Sequence, residues 1–200
     1  DQATMEKLCA IDTMSKISIG FLINQICKKL NSNQVYLNIG VWKGFSMFAG
    51  MINTKCEVHG VDNFTFENLM YDHKELKAKK YFYDNFEKLK NADRHFFHEM
   101  DYRDFFNLWS KKNKGIDFYY YDGEHSYRNQ YDNLLIAKEF LKKGSIILVD
   151  DYNEYDVEKG TLDFIAKHNS SFKIIKELKT INKYIHPTYA NGIILIEKFN

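Results

Sequence analysis

The chain has 200 residues, of which 44% are hydrophobic and 28% are charged, with 28 Lys and Arg against 27 Asp and Glu. This length predicts a single domain, residues 1–200, with one sizeable core, and it leaves too little chain for two such domains. The net charge of +1 argues against a nucleic-acid partner or an anionic membrane surface, so a small-molecule partner is favoured.

No apolar stretch has the length of a membrane span, and acids and lysines interrupt the apolar residues near the start of the sequence, unlike in a signal peptide. We therefore expect a cytoplasmic protein with no membrane partner. The three cysteines, Cys9, Cys27 and Cys56, lack the spacing of a zinc site. We expect them to be reduced thiols in or near the core.

The first part of the chain predicts helices followed by a βαβ unit. In residues 3–30 the apolar positions recur mostly every three or four residues, which indicates one or two amphipathic helices in a helical preface, residues 1–33. An exposed apolar face on this preface would favour a homodimer. After it come a predicted strand at Val35–Ile39, a turn at Gly40–Gly44, a helix at Phe45–Ile52 and a strand at Glu57–Val61.

The rest of the chain continues this alternation. The predicted helices are a segment within 64–91, Asp101–Lys111, Ser126–Leu141 and Val157–Asn169. The predicted strands are His95–His98, Ile116–Tyr121, Ser145–Val149, Phe172–Leu178 and Gly192–Phe199, with a turn at Lys143-Gly144 before Ser145. Strands that alternate with helices predict an α/β sandwich of three layers with a mostly parallel sheet of seven strands. The last two strands, joined by a loop, predict an antiparallel C-terminal edge.

Glycines mark the turn between the first strand and the first core helix. Gly40 and Gly44 would let a ligand approach the backbone there, although a tight turn that needs glycine for packing alone explains them equally well. Dinucleotide binding would require glycine at two positions that hold Trp42 and Phe45, so a nicotinamide-dependent oxidoreductase is disfavoured.

Two aspartates follow neighbouring strands. Asp62 comes 22 positions after Gly40, where an acid can accept hydrogen bonds from the hydroxyls of a ribose, and its alternative role is that of a turn or capping residue. Asp101 could lie beside an adenine, and it could equally be the N-cap of the next helix.

A group of carboxylates follows the fourth and fifth strands. Asp122, Asp150 and Asp151 should meet at the same edge of the sheet, where their mutual repulsion requires a proton or a cation. An oxygen-only set favours Mg²⁺, Ca²⁺ or Mn²⁺ over zinc, whereas helix capping and solvation are the alternative explanation. His125, three residues after Asp122, is placed to act as a general base, with a surface hydrogen-bonding role as its alternative.

These motifs together resemble the class I S-adenosylmethionine-dependent methyltransferases, and among them the macrocin-type and other small-molecule O-methyltransferases. The resemblance covers about residues 34–198 and rests on four blocks of sequence. The blocks are Val35-Tyr-Leu-Asn-Ile-Gly-Val-Trp-Lys-Gly-Phe-Ser46, Val58-His-Gly-Val-Asp62, Asp117-Phe-Tyr-Tyr-Tyr-Asp-Gly-Glu-His-Ser-Tyr127 and Ile146-Ile-Leu-Val-Asp-Asp-Tyr152.

The resemblance implies a Rossmann-like core at residues 34–200 that binds S-adenosylmethionine and transfers its methyl group to a small acceptor, most simply a hydroxyl oxygen. The implied cofactor residues are Asn38, Gly40, Gly44, Asp62, Asp101 and Asp122. Asp122, Asp150 and Asp151 would bind a divalent metal such as Mg²⁺ in the members that use one, and His125 and Asp122 would be catalytic. The family usually carries Glu or Asp where this chain has Asn38.

Asn38 motivates a second hypothesis, a protein that keeps the sheet but has lost the chemistry. A nucleic-acid methyltransferase is a third alternative, and the near-neutral charge disfavours it. The preface, residues 64–91 and the loop at 179–191 should form the walls of the acceptor pocket. We expect these aromatic residues to line it: Phe64, Phe66, Tyr71, Tyr184 and Tyr189.

Overall fold

A sheet of seven strands forms the centre of the computed structural model, which describes residues 2–65, 77–181 and 186–200. The strands are β1 (Val35–Ile39), β2 (Glu57–Asp62), β3 (His95–Glu99), β4 (Ile116–Tyr121), β5 (Leu141–Val149), β6 (Phe172–Leu178) and β7 (Ile193–Lys198). The helices of the described residues are α1 (Gln2–Cys9), α2 (Ile17–Lys29), α3 (Phe45–Met51), α4 (Ala78–Leu89), α5 (Tyr102–Trp109), α6 (Tyr127–Ala137) and α7 (Tyr155–Lys167), with a short 3₁₀ helix at Ser110–Lys112.

The strand order is β3-β2-β1-β4-β5-β7-β6. Strands β1 to β5 pair in parallel, and β7 runs antiparallel between β5 and β6. The predicted α/β fold with an antiparallel C-terminal edge is therefore confirmed. Chain order reverses between β1 and β4, and in such sheets the crevice beyond that point is the usual place for a ligand.

The alternation of side chains along β4 divides the core between the two faces of the sheet. Tyr119 and Tyr121 point into a cluster with residues of α5, α6 and α7. Phe118 and Tyr120 point the other way, into a cluster with residues of α2, α3 and α4, where the Tyr36 and Phe118 rings stack at 4.7 Å. Successive strand residues face opposite sides of the sheet. Of the three tyrosines, only Tyr120 therefore faces the side on which α3 packs, the helix that follows the glycine turn.

The helical preface packs on the same face as α3. A β-carbon on Gly20 of α2 would lie 2.4 Å from the Phe45 ring, so the two helices approach closely because position 20 is glycine. The buried Asn24 side chain donates to the carbonyl oxygens of Ala49 and Ile52 at 2.9 and 2.7 Å, which satisfies the end of α3. These contacts bring the loop before α2 to the same edge of the sheet as the end of β1.

The structure differs from the sequence predictions at the start of β5. The predicted helix to Leu141 ends at Ala137, and the predicted turn at Lys143-Gly144 lies inside the strand. Gly144 has φ +84°, and the register of β4 with β5 shifts between Leu141 and Ile146. The unpaired residues of β5 therefore form an irregularity within the strand instead of a turn before it. Cys9 is exposed rather than near the core, whereas Cys27 and Cys56 are buried.

Of the predicted pocket aromatics, Phe66, Tyr71 and Tyr184 lie outside the described residues. Among the helices that the structure describes, none has the length and apolar character that a membrane crossing requires.

Candidate active site

A cavity of about 820 Å³ lies beyond the carboxyl ends of β1, β2, β4 and β5, at the reversal in strand order. Its volume is within the usual range for small-molecule sites, about 300 to 1,000 Å³. Most of the predicted site residues line it, namely Gly40, Asp62, Asp101, Asp122, His125, Asp150 and Asp151. Asn38 and Gly44 are not part of its lining.

Gly40 and Gly44 both have backbone angles that favour glycine. Gly40 has φ +79°, and a β-carbon there would lie 1.8 Å from the carbonyl oxygen of Asp122, so the end of β1 and the end of β4 meet backbone to backbone. Gly44 has φ +101° directly before α3, and a β-carbon would lie 2.4 Å from the Phe48 ring. The glycine turn after β1 therefore lies directly against the loop that contains Asp122.

Asn38 supports the turn from behind the cavity wall. Its side chain is fully buried, and its Oδ1 accepts from the Ser46 hydroxyl at 2.7 Å while its Nδ2 donates to the carbonyl oxygen of Gly40 at 3.0 Å. A carboxylate at this position could not donate to that carbonyl. The amide at position 38, the departure from the usual family residue, therefore has a structural use here.

Asp62, the last residue of β2, holds the glycine turn through backbone donors. Its Oδ2 accepts from the N–H groups of Val41 and Trp42 at 2.8 and 2.7 Å, and its Oδ1 accepts from the N–H of Phe64 at 2.7 Å. Trp42 has φ +46°, an uncommon angle for a large residue. Because a carboxylate has about four acceptor positions, Asp62 keeps room for one further hydrogen bond while these three remain.

Asp101 is both a helix cap and part of the cavity wall. Its Oδ1 accepts from the N–H of Arg103 at 2.8 Å at the start of α5, which is the capping alternative that the sequence left open. The Arg103 guanidinium donates to Oδ1 of Asn129 at 2.6 Å and lies 4.3 Å from the centre of the Tyr102 ring. Asp101, Tyr102 and Arg103 thus form a planar, partly aromatic part of the wall of the cavity that Asp62 also lines.

Two of the acids after β4 and β5, Asp122 and Asp150, lie near the hydroxyl of Tyr120. That hydroxyl donates to Oδ2 of Asp150 at 2.6 Å and lies 3.4 Å from Oδ2 of Asp122. The other oxygen of Asp150 accepts from the N–H of Asp151 at 3.0 Å. Asp151 has φ +52°, so the chain turns sharply there and the two adjacent carboxylates have different surroundings.

His125 lies between the other two acids. Its Nε2 is 3.2 Å from Oδ2 of Asp151 and 3.7 Å from Oδ1 of Asp122. Ligand atoms of Asp122, His125 and Asp151 all lie within 4.8 Å of one another, as a shared metal ion requires. The structure therefore groups His125 with two of the three predicted metal ligands, while Asp150 is bound by Tyr120 and by the backbone.

The charges of this region shift its pKa values upward. Burial on its own would lower the pKa of His125, but the nearby carboxylate of Asp122 and the charges of Asp151 and Glu154 raise it to about 9. Burial, followed by the charges of Asp122 and Asp151, raises the pKa of Asp150 well above its usual range. Burial and Asp122 raise the pKa of Asp151 to about 6, against the opposing charge of His125.

This donor set fits a divalent cation. Two carboxylates and an imidazole nitrogen within ligand distance are a common set for Mn²⁺, Fe²⁺ or Zn²⁺, and the nitrogen makes Mg²⁺ and Ca²⁺ less favoured than the oxygen-only set predicted from the sequence. The pKa of Asp151 is raised by burial and by the charge of Asp122, and a cation between these acids would offset that repulsion.

Two polar atoms in the cavity wall were not predicted. Nε1 of Trp42 and the hydroxyl of Ser15 are buried and have no hydrogen-bond partner among the described residues, and both residues line the cavity. Ser15 belongs to the loop before α2, next to the exposed Met14. Trp42 lies in the first motif block, but no sequence motif marks Ser15, because its loop reaches the cavity only through the packing of α2 on α3.

Structural comparison relates the chain to known methyltransferases. It is similar to the O-methyltransferase from Bacillus cereus in complex with SAH, with 15% identity, a TM-score of 0.70, and coverage of 99% of this chain and 91% of that one. It is also similar to the O-methyltransferase TomG from Streptomyces achromogenes, involved in tomaymycin synthesis and in complex with SAM, with 11% identity, a TM-score of 0.69, and coverage of 100% and 91%. At these identities the likeness establishes the fold. A sequence search of curated proteins gives no match.

The strand order, the glycine turn and the acidic end of the cavity define a class I methyltransferase fold. A family model described as a methyltransferase domain matches residues 37–152, more than half of the chain. The chain therefore belongs to this methyltransferase family, and the resemblance drawn from its motifs is confirmed.

Proposed function

We propose that this protein is an S-adenosylmethionine-dependent O-methyltransferase that acts on a small hydroxylated acceptor with the help of a divalent cation. The observation that carries the proposal is one continuous cavity that joins Asp62 and Asp101 to the Asp122–His125–Asp151 group. A cofactor can thus extend from the first pair of acids toward the second group, and an acceptor can meet its methyl group there.

Asp62 and Asp101 have the chemistry to bind the nucleoside half of the cofactor. Asp62 can accept one ribose hydroxyl without releasing its backbone donors, and a second hydroxyl would replace one of them. Asp101, Tyr102 and Arg103 form a flat wall suited to an adenine ring. Gly40 lets the chain approach the rest of the cofactor, whose positive sulfonium is favoured by the nearby acids.

The acidic group would prepare the acceptor oxygen. A bound divalent cation supplies Lewis acidity that lowers the pKa of an acceptor hydroxyl. Asp122 and Asp151 would hold that cation, with Asp150 beside them, and they would fix the position of the oxygen in line with the methyl group. His125, protonated at neutral pH by its acidic surroundings, can accept the hydroxyl proton only once that negative charge is offset.

The proposal is tested by isothermal titration of S-adenosylhomocysteine into the folded protein, with Mn²⁺ or Mg²⁺ and again with a chelator. We expect saturable one-to-one binding in the chelator, because the glycine turn and Asp62 do not depend on a metal. Absence of binding up to millimolar ligand, by protein with a cooperative thermal transition, would refute the methyltransferase function.

Methyl transfer itself is tested with radiolabelled S-adenosylmethionine and panels of catechols, hydroxy acids and sugars, each with and without Mn²⁺. We expect cation-dependent labelling of an acceptor with adjacent oxygens, because two oxygens can share one cation. A panel of RNA transcripts serves as the comparison, since a net charge of +1 offers little to hold a phosphate backbone.

A second candidate is a binding protein that has kept the cofactor site and lost turnover. Two features favour it: the neutral Asn38 behind the glycine turn and the raised pKa of His125, which makes it a poorer base. Tight binding of S-adenosylhomocysteine together with no labelled product, and no cation binding, would identify this candidate instead of the enzyme.

A further inference from the structure

Tyr120 places a buried hydroxyl among the acids of the cavity. Its side chain is 1% exposed, and the residue lines the cavity from the α3 side of β4. The hydroxyl donates to Oδ2 of Asp150 at 2.6 Å and lies 3.4 Å from Oδ2 of Asp122. It has one proton to donate, so the shorter distance shows that Asp150 receives it.

The contact extends from Asp150 to Asp151 through the backbone. Oδ1 of Asp150 accepts from the N–H of Asp151 at 3.0 Å, and Asp151 has φ +52°. The carboxylate of Asp151 then lies with its Oδ2 3.2 Å from Nε2 of His125. A fixed Asp150 therefore fixes the turn that directs Asp151 toward His125 and Asp122.

We propose that Tyr120 is a positioning residue for the cation site: its hydroxyl orients Asp150, and through Asp150 it holds Asp151 in place to share a divalent cation with Asp122, beside His125. This inference rests on the proposed function, because it assigns a role toward the cation that the function uses. Outer groups that hydrogen-bond to metal ligands commonly change metal affinity by about 10-fold to 100-fold when they are removed.

The neighbouring tyrosine offers a matched control. Tyr119 is equally buried, but it faces the opposite side of the sheet, where its hydroxyl donates to Oδ1 of Asn133 at 3.2 Å. Tyr119→Phe and Tyr120→Phe each remove one buried hydroxyl from β4 and keep the ring. Only Tyr120→Phe removes a group that contacts the acids.

The experiment is titration of Mn²⁺ alone into the unmodified protein, Tyr120→Phe and Tyr119→Phe, with thermal melting of each. We expect Tyr120→Phe to weaken Mn²⁺ binding by at least about tenfold, and Tyr119→Phe to leave it unchanged. Equal Mn²⁺ affinity in the two variants, or no Mn²⁺ binding by the unmodified protein, overturns the inference. Binding of S-adenosylhomocysteine in a chelator tests the methyltransferase function separately, so the two failures are distinguishable.

A double-mutant cycle shows whether Tyr120 acts through Asp150. Asp150→Ala should weaken Mn²⁺ binding, and adding Tyr120→Phe to it should cause little further loss, because alanine removes the acceptor through which the hydroxyl acts. Independent, multiplying losses would contradict the proposed route. Retained binding of S-adenosylhomocysteine by the single variants in a chelator shows that the cavity is still formed.

Discussion

The two ends of the cavity hold their acids in different ways. At the end that we propose for the nucleoside, the Asp62 carboxylate accepts three backbone N–H groups, which are fixed by the turn itself. At the end that we propose for the acceptor, Asp150 accepts from the Tyr120 hydroxyl and from one N–H, and Asp151 lies beside His125. The first end is thus formed before any ligand arrives, whereas the second end carries negative charge that a proton or a cation must offset.

The largest effect should come from Gly40, where the end of β1 contacts the end of β4. In Gly40→Ala, the new β-carbon would lie 1.8 Å from the backbone oxygen of Asp122, so one of the two strand ends must move. We expect the free energy of unfolding to fall by at least about 3 kcal/mol. Binding of S-adenosylhomocysteine should be lost, as measured by denaturant unfolding and calorimetry.

Gly144→Ala is the control for this change. Gly144 has a similar φ of +84°, but a β-carbon there meets nothing within 4 Å. Its cost should be limited to backbone strain, about 1 to 2 kcal/mol, with cofactor binding intact. Equal losses of stability in the two variants would show that the approach of Gly40 to Asp122 is not important.

The second-largest effect should come from Asp62, at the end of the cavity that we propose for the nucleoside. Asp62→Asn places an amide NH₂ against backbone N–H donors and removes a charge, so we expect S-adenosylhomocysteine affinity to fall by about tenfold and stability by about 1 to 3 kcal/mol. Asp117 is the matched control, since it also accepts a backbone N–H, from Val35 at 2.9 Å, and lies outside the cavity wall. Asp117→Asn should lower stability alone. A similar loss of affinity in both variants would mean that Asp62 acts only through the fold.

The same contrast explains which parts of the site the sequence could predict. The strand, the glycine turn and Asp62 follow from local patterns, because glycine with positive φ and an acid after a parallel strand have few other uses in this arrangement. Asp150 and Asp151 were predicted as equal ligands. The structure separates them, because adjacent residues cannot face the same way and the positive φ of Asp151 decides which carboxylate meets His125.

The sequence patterns could not predict contacts between side chains of different strands. The role of Tyr120 depends on which face of β4 its side chain occupies, and three consecutive tyrosines give no sign of it. In the same way, Nδ1 of His59 lies 2.9 Å from Nε2 of His98 on the neighbouring strand, a pair that the sequence did not suggest. The register of β2 with β3 brings them together, and register is a property of the folded sheet.

A smaller effect tests the charge at the acceptor end. His125 has a pKa of about 9 in the folded protein, above its ordinary value of 6.5, so its protonated form stabilises the fold fully below pH 6.5 and this contribution is lost as pH rises toward 9. We expect His125→Gln to lower stability at pH 6 by about 1 kcal/mol, because solvent screens the partly exposed side chain. The difference from the unmodified protein should disappear near pH 10 in denaturant unfolding. A difference that is constant with pH would contradict an imidazolium between Asp122 and Asp151.

The smallest effect concerns Asp101, whose two roles can be separated by the choice of substitution. Asparagine and serine both cap helices about as well as aspartate, so Asp101→Asn and Asp101→Ser should each change the free energy of unfolding by less than about 0.5 kcal/mol. The asparagine side chain still reaches the cavity, whereas the shorter serine does not. If Asp101 contacts the nucleoside, S-adenosylhomocysteine should bind the serine variant about two- to threefold more weakly than the asparagine variant, as expected for one partly exposed polar contact. Equal affinities in calorimetry would leave Asp101 as a cap of α5, and the nucleoside end would then depend on Asp62 and its three backbone donors.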